Sequence, residues 1–283
     1  MLKRSEGFFE GVHQTKLYFQ SWLPETPIKG LLVITHGQGE HSDCYHRLIE
    51  ALAPMGWGFL LWDLRGHGRS HGQRGYVSSF SDYTRDFELL SRQVVPRFTG
   101  AYPLVYFAHS MGALVQLSAL GSIQDGNLKP QILSSPFLGL ALQVPAVKEI
   151  GALFVRQLIP RLTLSNEIKN EDLSSDPEVL HEYERDTLRH KKISSGAYLG
   201  ALECTQNILA RPMIWRGRML FLLADHDRVV STRTNLNFIE GLSHANIEYQ
   251  VFTNRKHELV NDLGRDEVFA KIRAFLLETP QAS

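Results

Sequence analysis

A series of short runs that are apolar from end to end, each stopping abruptly at glycine or a polar turn, constrains this chain most. Leu31-Leu32-Val33-Ile34-Thr35 stops at His36-Gly37, and Gly58-Phe59-Leu60-Leu61-Trp62-Asp63 at Arg65-Gly66-His67-Gly68. Leu104 to Ala108, Gln131 to Leu133 and Met219 to Leu223 are similar, and Ile247 to Phe252 follows. A strand that alternates polar and apolar residues has one wet face. A run without alternation has none, which marks a strand buried on both sides of a parallel sheet. Helical spacing separates the runs. Leu48, Leu52 and Met55 share a face over Tyr45 to Met55, and Phe87, Leu90 and Val94 share one over Phe80 to Val95. Leu114, Leu117, Leu120 and Ile123 do so over Met111 to Ile123, and Val268, Ile272, Phe275 and Leu276 over Asp266 to Leu277. Strands alternating with helices predict an α/β class, a mostly parallel central sheet flanked by helices. The first 22 residues read instead as a hairpin, with Phe8-Phe9 facing Lys16 to Trp22 across Gly11-Val12-His13-Gln14.

The alternation lapses between about 138 and 205, where no strand is evident and the chain reads as successive helices. Because it resumes afterwards, the expected organisation is a core of 1–137 and 206–283, with 138–205 inserted between two strands as a helical cap, or lid. Balanced charge, with Lys+Arg and Asp+Glu both at 30, leaves no basic excess to neutralise phosphates, so nucleic acid is not an expected partner. The two cysteines, Cys44 and Cys204, show no metal-ligand spacing and are expected to stay reduced. Met1 to Gly7 has no apolar stretch after its basic pair, and no run reaches the roughly 20 apolar residues of a membrane span. The expected location is cytoplasmic, with peripheral membrane contact left open for the inserted segment.

Gly68-Arg69-Ser70-His71-Gly72 is a strict Gly-x-Ser-x-Gly match, yet its setting is wrong for a nucleophile. A reactive serine must stand on a tight strand-to-helix turn, its oxygen at the helix N-terminus. No helix can begin soon enough after Ser70. Ala108-His109-Ser110-Met111-Gly112 departs from the strict pattern at its first residue, but it lies between a buried strand and a strong helix. Alanine is small enough for a bend where backbones approach closely. The bland alternative for Ser110 is a helix N-cap.

A serine hydroxyl needs a positioned base, and on such a sheet the partners follow in the order serine, acid, histidine. Leu222 to Val230 supplies two acids, Asp225 and Asp227, and Val251 to His257 supplies the histidine ahead of the last helix. Twelve histidines in the chain make any single one unremarkable; the joint placement is what carries weight. Oxyanion donors are expected at the Met111 N–H, next after the serine, and at the Gln38 N–H in Thr35-His36-Gly37-Gln38-Gly39.

These residues carry a family resemblance. His36-Gly37-Gln38-Gly39-Glu40-His41, Asp63 to Ser70 with Gly72 to Gly75, and His109-Ser110-Met111-Gly112 resemble the signatures of the monoacylglycerol lipase and lysophospholipase group of the α/β-hydrolase superfamily. Asp176-Pro177-Glu178 with Tyr183, Asp186 and Leu188, and His257-Glu258-Leu259 with Asn261, are similar to its lid and histidine segments. Ala108 stands where the group usually has glycine, and Ala224 where it often does. The resemblance implies an α/β-hydrolase fold, a Ser110–His257–Asp227 triad in preference to Asp225, an acyl-serine intermediate, a single-chain lipid ester as substrate, and neither metal nor organic cofactor.

In the inserted segment, Val144, Val147, Ile150, Phe154, Leu158 and Leu162 recur at helical spacing. The plain reading is packing on the core; the sharper one is an acyl channel whose outer face meets membrane. The acidic stretch Glu171 to Asp186 reads as a solvated helix opened near Pro177. A headgroup site at Glu178 and Tyr183 is the functional alternative, for glycerol hydroxyls or a choline cation. His67 and His71 near Arg65 lack a carboxylate or cysteine cluster and read as loop hydrogen bonding rather than metal ligation. A peptidase, thioesterase or small-ester esterase, or a non-catalytic binding module, would share this scaffold. Epoxide and haloalkane hydrolases need a carboxylate where Ser110 stands.

Overall fold

The computed structural model describes residues 1–25, 27–120, 128–141, 146–210, 217–242 and 246–280. The chain opens with a hairpin of β1 (Leu2–Glu10) and β2 (Lys16–Pro24), in which Phe8 pairs with Tyr18 and Phe9 with Leu17. It continues through β3 (Gly30–Thr35), α1 (His46–Leu52), β4 (Trp57–Trp62), α2 (Ser81–Gln93), β5 (Leu104–His109), α3 (Met111–Leu120) and β6 (Gln131–Ser134). A long excursion holds α4 (Ala146–Leu158), β7 (Thr163–Ser165), α5 (Asn170–Leu173), α6 (Pro177–Arg185), β8 (Lys192–Ser194) and α7 (Ser195–Leu209). The chain then returns to the sheet as β9 (Met219–Ala224), α8 (Thr232–Glu240), β10 (Ile247–Phe252) and α9 (Arg265–Leu277).

The main sheet has the order β1-β2-β4-β3-β5-β6-β9-β10. From β4 to β10 every neighbouring pair is parallel, and β2 joins β4 antiparallel. Continuous apolar runs are required because helices cover both faces. Leu31, Val33, Leu60, Trp62, Phe221 and Leu223 pack toward α2, α3, α7 and α8. Their alternates Leu32, Ile34, Phe59, Leu61, Leu220 and Leu222 pack toward α1 and α9. Among the described residues β10 pairs only with β9, and it leaves Tyr249 exposed, which explains its polar alternation. Strand order reverses around β3, between β4 and β5, and a crevice at strand C-terminal ends forms at such a switch point.

Three expectations need correction. The helix expected over Tyr45 to Met55 is regular only from His46 to Leu52. It is flanked by 3-10 turns at Ser42–Tyr45 and Ala53–Met55, because Pro54 has no N–H to continue the ladder. The excursion is not purely helical, since β7 and β8 pair antiparallel with Leu164 opposite Ile193. Three residues are too few to display alternation. The boundary expected at 205 falls inside α7, whose Ala197, Ala201 and Ile208 share a core with α2 and α3. The end of the helix expected to reach Ile123 lies outside the described residues.

The α3 N-terminus sets a close tolerance. A Cβ on Gly112 would lie 2.3 Å from the His36 carbonyl oxygen and 2.7 Å from that of Thr35, both backbone atoms that cannot swing away. Gly112→Ala is therefore expected to lower stability by about 1–3 kcal/mol or more. Gly151→Ala, in α4 with nothing within 4 Å, is expected to be neutral or to stabilise by up to about 1 kcal/mol. Urea midpoints of the two variants check the contrast.

Candidate active site

Ser110 occupies the single-residue turn between β5 and α3 with φ of 51°, a left-handed conformation that a non-glycine residue adopts only under constraint. The constraint is visible on both sides. Its N–H donates to Ser134 O at 3.0 Å, across to β6, and its carbonyl accepts from Ala113, Leu114 and Phe137 N–H groups at 3.0, 3.3 and 3.1 Å. Buried Ala108 and Gly112 leave room for this bend.

Ser110 Oγ lies 2.9 Å from His257 Nε2, and His257 Nδ1 lies 2.7 Å from Asp227 Oδ2. The other Asp227 oxygen accepts from the Val229 and Val230 N–H groups at 2.8 and 2.9 Å, which fixes the carboxylate. Asp225 faces elsewhere, accepting the Arg255 N–H at 3.3 Å. The structure thus brings Ser110, His257 and Asp227 together and leaves Asp225 out. Burial disfavours a charged His257, but the Asp227 carboxylate outweighs it, with Glu258 and Glu40 adding to the effect, and raises the imidazole above its ordinary value. The His109 ring lies tilted against it, ring centroids 4.7 Å apart. Burial first, and the neighbouring His257 second, hold His109 neutral, down to about 3.

The loop after β3 flanks the serine. A Cβ on Gly37 would lie 3.0 Å from Ser110 Cβ, so this backbone closes one side of the crevice. The Leu64 N–H donates to His36 Nε2 at 2.9 Å, so Nδ1 carries the proton and donates to Gly37 O at 2.7 Å. Glu40 Oε1 accepts from the Gly37 N–H at 2.5 Å and from Tyr45 Oη at 2.9 Å. The carbonyl of Gly39, a residue at φ 81°, accepts the His190 N–H at 2.9 Å, and Gln38 Nε2 donates to Lys192 O at 2.9 Å. The Met111 N–H is the first of α3, where no preceding turn supplies an acceptor.

The other candidates separate. Ser70 is structural: Oγ accepts the Tyr18 N–H at 2.9 Å and donates to Asp63 O at 2.5 Å. Glu178 is exposed in the first turn of α6 and is not brought to the crevice; it serves the positive end of the helix instead. Tyr183 lines a cavity of about 250 Å³ with Gln38, Asn166, Asn170, Arg189 and Lys191. Its hydroxyl donates to Glu258, however, and the Arg189 guanidinium lies 3.7 Å from its ring centroid. That face is therefore already taken by a cation. His67 Nδ1 meets Arg65 O at 3.0 Å, and His71 is exposed. Cys44 has ligand-like neighbours in space: donor atoms of His41, Cys44 and Asp186 lie within 4.8 Å of one another. His41 Nε2 is engaged by Asp186 at 2.7 Å and Arg189 Nη1 donates to Cys44 Sγ at 3.4 Å. A guanidinium so close works against a cation there.

Sequence reasoning missed the roles of Glu40, Glu258 and Arg189. The first two stand inside the quoted motifs, and Glu258 adjoins His257; Arg189 gave no signal because its partner is 69 positions away.

A strained strand-to-helix serine, a histidine on its oxygen and an aspartate behind the histidine, at the C-terminal edge of this sheet, define a serine hydrolase of the α/β-hydrolase fold. The chain belongs to the family described as serine aminopeptidase, S33, whose model matches residues 26–264. It is 26% identical over 260 residues to a monoacylglycerol lipase of Mycolicibacterium smegmatis, covering 92% of each chain. It is 25% identical over 256 residues to the phospholipase YtpA of Bacillus subtilis, covering 90% of this chain and 97% of that one. Among solved structures, a monoacylglycerol lipase of Paleococcus ferrophilus superposes with a TM-score of 0.80 at 24% identity, over 99% of this chain and 100% of that one.

His36 gives the site a measurable acid sensitivity. Burial, opposed by the bond to Gly37 O, holds its imidazole down to about 3, while the unfolded chain titrates near ~6.5. The unfolded state therefore takes the proton first. Stability from this residue is complete above ~6.5 and is lost as pH falls toward the folded value. His36→Gln is expected to flatten the dependence of unfolding free energy on pH between ~6 and ~4 by up to about 1.4 kcal/mol per pH unit. Urea titrations across that window measure it, and an unchanged slope would show that His36 is not held neutral.

Proposed function

We propose that this protein hydrolyses carboxylic esters of single-chain lipids, monoacylglycerols or lysophospholipids, through an acyl-serine intermediate. The observation that carries the reading is the unbroken hydrogen-bonded path from Ser110 Oγ through His257 to Asp227. In this mechanism His257 Nε2 takes the Ser110 proton as Oγ attacks the ester carbonyl. The Gln38 and Met111 N–H groups receive the oxyanion. His257 then protonates the departing alcohol, and water deacylates the serine by the same route. Asp227 fixes the tautomer and stabilises the imidazolium. The polar cavity beside Gln38, lined by Asn166, Asn170 and Tyr183, suits a hydroxyl-bearing leaving alcohol. The similarity to a monoacylglycerol lipase and a phospholipase supports the lipid class.

Fatty-acid release from a monoacylglycerol and a lysophosphatidylcholine of matched chain, with Ser110→Ala as the blank, tests this reading. Asp227→Asn is expected to lower kcat by about 10⁴-fold and Asp225→Asn to leave it near wild type. If neither lipid is cleaved above the blank while a fluorophosphonate labels Ser110, the machinery stands and the substrate is a peptide, thioester or short ester. An unlabelled Ser110 would point to a binding module.

The excursion after β6 acts, in this reading, as a lid with a lipid-facing side. Of the apolar residues at helical spacing, Ile150, Phe154, Leu158 and Leu162 are not packed on the core as the plainer expectation had it: Phe154 is 63% exposed and Leu158 78%, with Leu153 and Ile159 beside them also exposed, while the side chains of Val144 and Val147 lie outside the described ones. An apolar patch of this kind on a helix suits the bilayer interface. No helix among the described residues is long and apolar enough to cross a membrane. Co-sedimentation with phosphatidylcholine vesicles is expected for the wild type and to fall sharply for Phe154→Ser/Leu158→Ser. A wild type that binds no vesicle would remove the membrane contact.

A further inference from the structure

The excursion does more than cover the crevice, because its 171–192 stretch grips both loops that flank Ser110. On the histidine side, Glu258 N–H donates to Leu173 O at 2.9 Å, Ser174 Oγ to Asn261 O at 3.0 Å, and Lys256 Nζ to Glu171 O at 2.5 Å. On the opposite side, His190 N–H holds Gly39 O and Lys192 O holds the Gln38 side chain. Between these grips lies a buried charge cluster. Arg189 Nη2 meets Glu258 Oε1 at 2.6 Å, with the two side chains only 10% and 4% exposed. Tyr183 Oη and Asn261 Nδ2 donate to the other Glu258 oxygen.

We propose that Arg189 is a positioning residue of the hydrolytic centre: by neutralising Glu258, the residue after His257, it makes the proton affinity of the histidine depend on the excursion being seated. The inference rests on the reading of Ser110, His257 and Asp227 as the triad. Its physical basis is that two buried carboxylates, Glu40 and Glu258, act on His257 through charge, and that the Arg189 guanidinium, 2.6 Å from Glu258, opposes both. Burial would push Glu258 up, but the Arg189 charge outweighs it and holds the carboxyl well below its usual range. Burial and the Glu258 charge together push Glu40 up, and Arg189 again opposes them. Take Arg189 away, as unseating the excursion would, and uncompensated negative charge faces the imidazole. That charge favours the imidazolium, which cannot accept the serine proton.

The groups that act on His257 come from every neighbouring element. Asp227 and Ser110 bond it, the His109 ring lies tilted against it, and Glu258 and Glu40 act through charge. Arg189 is in turn bordered by Tyr183, by Cys44 and, beyond the sulfur, by the His41–Asp186 pair. Tyr45 and the Gly37 N–H hold Glu40.

The test is the second-order rate of fluorophosphonate inactivation from pH 5 to 9, whose acid limb reports His257 and needs no knowledge of the substrate. Arg189→Met is expected to move that limb up by about half a pH unit or more, and Glu258→Gln to move it down by a similar amount. Arg189→Lys, which keeps the charge, should return the limb toward the wild-type position. A merely structural role would lower rates without moving the limb. The proposal is overturned if Arg189→Met reacts with the probe but keeps the wild-type limb. It is equally overturned if the Met and Gln variants shift it the same way. Should Arg189→Met fail to fold, an unmoved limb in Glu258→Gln overturns it alone. Failure of the triad reading looks different: wild-type protein would not react with the probe, or Ser110→Ala would still react.

Discussion

The left-handed bend at Ser110 is the constraint on which the rest of the site depends. A non-glycine residue at φ 51° costs free energy of about 1–3 kcal/mol, and the fold supplies what holds it there. The N–H is tied to β6, the carbonyl receives N–H groups from α3 and from the chain leaving β6, and Ala108 and Gly112, two positions to either side, are small enough to leave room for the bend. Because β3 and β5 are parallel neighbours, their C-terminal ends lie side by side, and the loop after β3 meets the serine. The same bend starts α3 immediately, which leaves the Met111 N–H without an intrahelical acceptor where negative charge can be received.

A second theme is how buried charge is managed next to that bend. His36 and His109 are neutral because burial disfavours their charged forms, and both tautomers are tied to backbone carbonyls. Glu258 is handled differently: donors and a cation hold it charged, while burial and the Glu258 charge push the neighbouring Glu40 up. Tyr45, Tyr183, Asn261 and backbone N–H groups supply the bonds, and Arg189 supplies the charge. A buried ion pair of this kind is weak evidence for stability, since desolvation offsets its attraction. Its better explanation is a link between elements, and here it joins the excursion to the histidine loop.

Much of the architecture was legible because its causes are local. Doubly buried strands must be apolar throughout, and that is how the β3, β4, β5 and β9 runs announced themselves. Ser110 was preferred to the stricter match at Ser70 because only Ser110 has a strand behind it and a helix ahead; Ser70 proved to bond the backbone of Tyr18 and Asp63. The two strands β7 and β8 were invisible, since three residues each carry no period. The exposure of Phe154 and Leu158 was equally unreadable, because helical spacing states that an apolar face exists and not what covers it.

The sequence by itself determined the alternating sheet and helices, the serine at a strand-to-helix turn and the order in which its partners follow, because each depends on residues close in the chain or on buried runs. It left Asp225 and Asp227 open until a family resemblance favoured the second. Tertiary structure separates the two by distance: Asp227 stands 2.7 Å from His257 while Asp225 holds the Arg255 backbone. It also decided that Glu178 stays in solvent, that Tyr183 serves a carboxylate, and that Arg189 comes to rest beside Glu258. Those outcomes depend on which surfaces meet across separations such as the 69 positions between Arg189 and Glu258, and neither composition nor spacing encodes such a meeting.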